Sequence, residues 1–91
     1  MSSTSFGLAR IGQIALPVRD LDRAVTFYRD VLGLAFLFRV PNLAFFDCAG
    51  VRLLLEKVRT GDVTPQGVIY FRCADIALTM RELSERGAVF R

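Results

Sequence analysis

Two hydrophobic periods alternate along this chain. The apolar run GQIALPV at 12–18 reads as a β-strand, and directly after it Leu21, Ala24, Val25, Tyr28, Val31 and Leu32 recur at the three- and four-residue spacing of one helix face. Asp20 stands where an N-cap belongs and Gly33 where a helix stop wants a left-handed residue, so the spacing predicts an amphipathic helix over 20–32. Three strands follow, over 34–40, Leu43–Cys48 and Val51–Lys57, separated by Pro41–Asn42 and Ala49–Gly50 turns. The polar stretch VRTGDVTPQ reads as a linker. Beyond it, 68–73 is a further apolar strand, Asp75 caps a second helix with Ile76, Met80 and Leu83 as its buried stripe, and Gly87 stops it. The closing AVFR begins another strand.

These elements repeat. The two capping residues, Asp20 and Asp75, stand 55 positions apart, and Leu21, Val25 and Tyr28 match Ile76, Met80 and Leu83, with Gly33 near Gly87. The unit is β-α-β-β-β. Within one domain covering 1–91, module one spans 11–58, a linker 59–66, and a partial second module 67–91. The second copy stops after its helix, so its sheet is expected to be completed by further strands or by a partner chain. The first ten residues, serine-rich, read as a loose lead-in.

Composition narrows the chemistry. Hydrophobic residues make up 53% of the 91, which excludes intrinsic disorder. No apolar run approaches the ~18–20 residues of a bilayer span, and the start lacks the apolar stretch of a secretory signal, so a cytoplasmic protein with no membrane partner is expected. There is no histidine, which removes the commonest metal ligand and general base. The net charge of +3 comes from arginines scattered singly beside one lysine, Lys57, with no basic stripe for a nucleic-acid backbone. Cys48 and Cys73 sit in apolar runs and read as buried, reduced thiols.

Strand periodicity divides the residues between two sheet faces. A two-residue turn at Ala49–Gly50 sets Asp47 opposite Arg52, Phe45 opposite Leu54 and Leu43 opposite Glu56. A tight turn at Pro41–Asn42 sets Phe38 opposite Phe45 and Phe36 opposite Asp47. One face then carries Phe36, Phe38, Val40, Leu43, Phe45, Asp47, Arg52, Leu54 and Glu56. The other, with Leu37, Ala44, Phe46, Cys48, Val51, Leu53 and Leu55, is uniformly apolar and belongs under the helices. On the fifth strand Ile69, Phe71 and Cys73 fall on the helix side, and Val68, Tyr70 and Arg72 on the open side. The mixed face offers apolar walls with a few polar groups, the makings of a small-molecule pocket. Its candidate binding residues are Phe36, Phe38, Phe45, Arg52, Leu54, Tyr70 and Arg72. For Arg52 a cross-strand ion pair with Asp47 is an equal alternative.

The segments IGQIALPVRDLDRAVTFYRDVLGL, AFFDCAGVRLLLE and VIYFRCADIALTMRELSERGAVF resemble the vicinal oxygen chelate superfamily of glyoxalase I, bleomycin-resistance proteins and extradiol dioxygenases. The carrying signature is Ala24-Val25-x-Phe27-Tyr28 followed by Val31-Leu32-Gly33-Leu34. The resemblance implies an α+β fold: paired βαβββ modules forming a curved half-barrel sheet, helices on the convex side, and a metal and substrate in the hollow. It places a first-strand metal ligand at Gln13, with Val68 as the counterpart in module two. Its fourth-strand carboxylate falls on Arg52, with Glu56 four residues on. Gln13 and Glu56 are thus the metal candidates, short of the several donors a divalent ion needs. No cofactor is assigned, and a divalent metal ion stays open.

Three functions compete. One is a metal-free, bleomycin-resistance-type binder of a small, planar or aromatic organic molecule. The second is a metal-dependent lyase, isomerase or dioxygenase whose remaining ligands lie in further strands or a partner chain. The third is an assembly module. A homodimer covering the open strand edges is expected in each case.

Overall fold

The computed structural model describes residues 7–59 and 68–90. The linker expected over 59–66 lies outside the described residues except for Arg59, as do the first six residues of the lead-in. β1 (Gln13–Val18) leads to α1 (Leu21–Thr26), which runs directly into a π-helical turn over Phe27–Val31. β2 (Ala35–Val40), β3 (Leu43–Cys48) and β4 (Val51–Lys57) follow, then α2 (Ile76–Glu85). The four strands form one sheet in the order β1-β4-β3-β2. β1 pairs parallel with β4, and the two hairpin pairs are antiparallel. The βαβββ module expected from the sequence is therefore present in full.

The end signals act as their chemistry dictates. The Asp20 carboxylate accepts the Arg23 amide at 3.1 Å, and Asp75 accepts that of Leu78 at the same distance. Each satisfies an amide that its helix leaves unpaired. Gly33 takes φ +76, the left-handed value its position needs. The helix before it is not regular: the Leu32 amide donates to the Phe27 carbonyl at 2.9 Å, a π-type bond. The apolar pattern does not reveal this, because Tyr28, Val31 and Leu32 stay half-buried in the widened turn as they would in an α-helix.

The core lies between α1 and one sheet face. It comprises Leu21 and Val25 from the helix and Ala44, Phe46, Leu53 and Leu55 from β3 and β4. Tyr28 lays its ring on Phe46 at a centroid distance of 6.1 Å. Burial there raises the Tyr28 phenol above its ordinary pKa, since the phenolate would lose its water.

The β3–β4 register is the one read from the sequence, with Asp47 opposite Arg52, Phe45 opposite Leu54 and Leu43 opposite Glu56. Ala49 at φ 51 and Gly50 at φ 92 are both left-handed, as a type I′ hairpin requires. The β2–β3 register corrects the sequence reading. Phe38 does oppose Phe45, but a bulge between Phe36 and Phe38 sets Phe36 opposite Phe46 rather than Asp47. One extra residue in β2 turns every side chain beyond it to the other face. Phe36 therefore packs its ring edge-on against Phe46 at 5.4 Å, on the helix side.

The second copy differs more. Residues 68–73 pair with no strand among those described, so the expected fifth strand is not formed, nor is one over 88–90. A strand exists only by its ladder, and β1, the counterpart of this segment, has β4 beside it. Nor is the α2 stripe buried as expected: Ile76 is 65% exposed and Met80 41%, while Leu83 is half-covered. α1 lies on its own strands, whereas α2 has none beneath it among the described residues. Cys73, expected to be buried, is exposed, and Cys48 is half-buried on the helix side. No helix among the described residues is long and apolar enough to cross a membrane.

Candidate functional site

The face of the sheet turned away from α1 is organised by register into three rows that cross all four strands. The first holds Gln13, Arg52, Asp47 and Ala35; the second Ala15, Leu54, Phe45 and Phe38; the third Pro17, Glu56, Leu43 and Val40. Successive rows are two residues apart on β1, β3 and β4, or about 6.6 Å along the strands. The face thus has a polar end around Arg52, an apolar middle and an acidic end at Glu56.

Phe38 and Phe45 stack nearly parallel in the middle row, centroids 4.4 Å apart and planes 22° from each other. The Arg52 guanidinium lies over both, 5.4 Å from the Phe45 centroid and 5.8 Å from that of Phe38. Both distances are within the range of cation–π attraction. Ion pairs join Arg29 to Asp30, Arg39 to Asp22 and Arg86 to Glu82, and none of these joins Arg52 to Asp47. The cross-strand neighbour at the same level has not captured this arginine; the rings have. Phe38 is 43% exposed and Phe45 half-buried, so the stacked pair is accessible from the open side.

The sequence-derived site residues separate into two groups. Phe38, Phe45, Arg52 and Leu54 come together on the open face, with Gln13 beside Arg52 on β1 and Glu56 on the same side. Phe36 does not join them, because the bulge places it against Phe46. Nor do Tyr70 and Arg72. They line a cleft of about 240 Å³ with Ile14, Cys48, Val51 and Leu53, all of which share the helix-side face. Their strand was expected to continue the open face, and without a ladder to fix its orientation the segment folds over the other one. Ile69 does pack against the core side, as its alternate position implied. The bulge left no trace in the sequence: FLFRV carries no glycine or proline to mark it.

The metal candidates fail a geometric test. Gln13 and Glu56 lie in the first and third rows, about 13 Å apart along the strand direction. Side chains standing off a sheet keep that separation, whereas two oxygen ligands of one divalent ion at about 2.0–2.6 Å lie within roughly 5 Å of each other. The residue level with Gln13 on β4 is the cation Arg52. No cluster of three or more His, Cys, Asp or Glu side chains suited to a metal occurs among the described residues.

Several solved structures share this architecture. A lactoylglutathione lyase from Agrobacterium tumefaciens is 30% identical, with a TM-score of 0.61 over 88% of this chain and 68% of its own. A glyoxalase/bleomycin resistance protein/dioxygenase superfamily member from Sphaerobacter thermophilus is 25% identical, with a TM-score of 0.69 over 91% of this chain and 75% of its own. A glyoxalase/bleomycin resistance protein/dioxygenase from Nocardioides, 24% identical, shares the fold with a TM-score of 0.69, and 91% of this chain spans 65% of that one. The chain thus spans about two thirds to three quarters of these structures. The family model for the Glyoxalase/Bleomycin resistance protein/Dioxygenase superfamily matches residues 10–91. With the complete βαβββ module, the capped helix and the open aromatic face, that match establishes that this chain belongs to the Glyoxalase/Bleomycin resistance protein/Dioxygenase superfamily.

Proposed function

We propose that the chain binds a small planar organic molecule on the open face of its sheet, without a metal held by its own Gln13 and Glu56. The observation that carries this reading is the accessible Phe38–Phe45 stack with Arg52 over it. Stacked rings extend a flat apolar platform to a third ring, and Leu54 and Ala15 widen it within the same row. A homodimer is part of the proposal, because Ile76 and Met80 of α2 are apolar and uncovered.

The test is metal analysis of the purified protein together with a fluorescence titration of a naphthalene derivative. Binding to metal-free protein, weakened roughly 2- to 10-fold by Phe38→Ala or Phe45→Ala, supports the reading. A stoichiometric, tightly held divalent ion, or binding indifferent to both substitutions, overturns it. The second reading, a metal-dependent lyase or isomerase, draws on the 30% identity to the Agrobacterium lactoylglutathione lyase. It needs metal ligands from outside the described residues, since Gln13 and Glu56 are too far apart to serve together.

A further inference from the structure

The charge distribution along the open face goes beyond planarity. We infer that the ligand of this site is an aromatic carboxylate, seated with its anionic edge on the Arg52–Gln13 row and its ring on the Phe38–Phe45–Leu54 row. The inference rests on the reading of the face as a binding site and adds the chemical class of its occupant and the direction in which it lies.

Three observations fix that direction. First, Arg52 is in ion-pair contact with no carboxylate among the described residues, although Asp47 stands level with it on β3. Its planar guanidinium is held by the rings and keeps N–H groups for an oxygen acceptor, in the fork geometry that matches a carboxylate. Secondly, Gln13 flanks Arg52 from β1 at the same level, and its amide supplies a neutral donor next to the cation. Thirdly, Glu56 occupies the opposite end, about 13 Å away along the strands. At the Glu56 end an anion meets a carboxylate with no cation level with it, whereas at the other end Arg52 offsets the Asp47 carboxylate of its own row, and the ring between covers apolar rows from either orientation. Only the placement with the carboxylate at Arg52 satisfies both ends. The aromatic body then lies against the rings that the guanidinium already contacts.

The experiment compares two probes of the same shape, 2-naphthoate and its neutral amide 2-naphthamide, titrated into the full chain at low ionic strength. The expected result is naphthoate binding roughly tenfold more tightly than naphthamide, the size of one charge-assisted hydrogen-bonded contact. Arg52→Gln should collapse the ratio to near one, and Arg52→Lys should restore part of it. Asp47→Asn, which removes the nearest competing negative charge, should widen it. Equal affinity of the wild-type chain for both probes overturns the carboxylate assignment while leaving a planar-ligand site in place. Failure of both probes to bind removes the underlying site. An unchanged ratio in Arg52→Gln assigns the anion to another group and likewise overturns the inference.

Discussion

Phe45 and Phe46 are neighbours in sequence and identical in chemistry, and the fold assigns them opposite faces of one strand. Phe46 is fully buried beneath α1, in ring contact with Tyr28 and Phe36 and enclosed by Leu21, Val25, Leu53 and Leu55. Truncating such a ring to alanine costs about 3–5 kcal/mol, from lost transfer energy and the cavity left behind. A chain of this length is expected to be stable by about 5–14 kcal/mol. With only Leu21, Val25, Ala44, Phe46, Leu53 and Leu55 buried as its hydrophobic core among the described residues, it belongs near the low end of that range. Phe46→Ala should therefore leave little folded protein. Phe45 faces the open side, and its partner is the Phe38 ring at 4.4 Å. Losing that stack and a half-buried surface should cost about 1–2 kcal/mol. Urea unfolding followed by far-UV circular dichroism suits a chain without tryptophan, and Phe46→Leu supplies a folded variant if alanine abolishes the transition. The order expected is Phe46→Ala, far more destabilised than Phe45→Ala. Equal losses, or a greater loss at Phe45, would refute both the face assignment and the binding platform built on it.

Two further outcomes follow from local geometry. Ala49 holds φ 51 in the β3–β4 turn, a left-handed conformation costly for residues with a Cβ except Asn and Asp, whose short polar side chains bond locally to the backbone. Ala49→Gly or Ala49→Asn should raise stability by about 0.5–1 kcal/mol in the same urea assay, with no change at the open face. Burial raises the Tyr28 pKa above the ordinary 10.0, so stability is unaffected while both folded and unfolded phenols are protonated. As pH rises past that value the unfolded chain releases its proton first, the native state binds more protons, and stability falls until the folded phenol also ionises. Tyr28→Phe should remove this part of the alkaline decline, as read from urea midpoints across the titration.

Local chemistry made most of the first module legible. Aspartates at Asp20 and Asp75, a left-handed glycine at Gly33 and a two-residue turn at Ala49–Gly50 act within a few residues of themselves, so their effect survives in any context that permits the element. Alternation over β3 and β4 then placed Phe45, Arg52, Leu54 and Glu56 on one face without reference to anything distant. What escaped the sequence depended on partners. The β2 bulge that turns Phe36 to the helix side of the sheet, against Phe46, is set by how β2 meets β3, and nothing within β2 announces it. The choice of Arg52 to lie over two rings instead of pairing with Asp47 is likewise a competition between neighbours that only three-dimensional proximity settles. Residues 68–73 have the composition of a strand, yet backbone amides and carbonyls make a strand only when another lies alongside. Without one, Tyr70 and Arg72 pass to the helix side, and α2 keeps its apolar stripe uncovered. Periodicity thus determined which residues can share a face, and tertiary contact decided which faces meet, because burial and cross-strand pairing are properties of two segments at once.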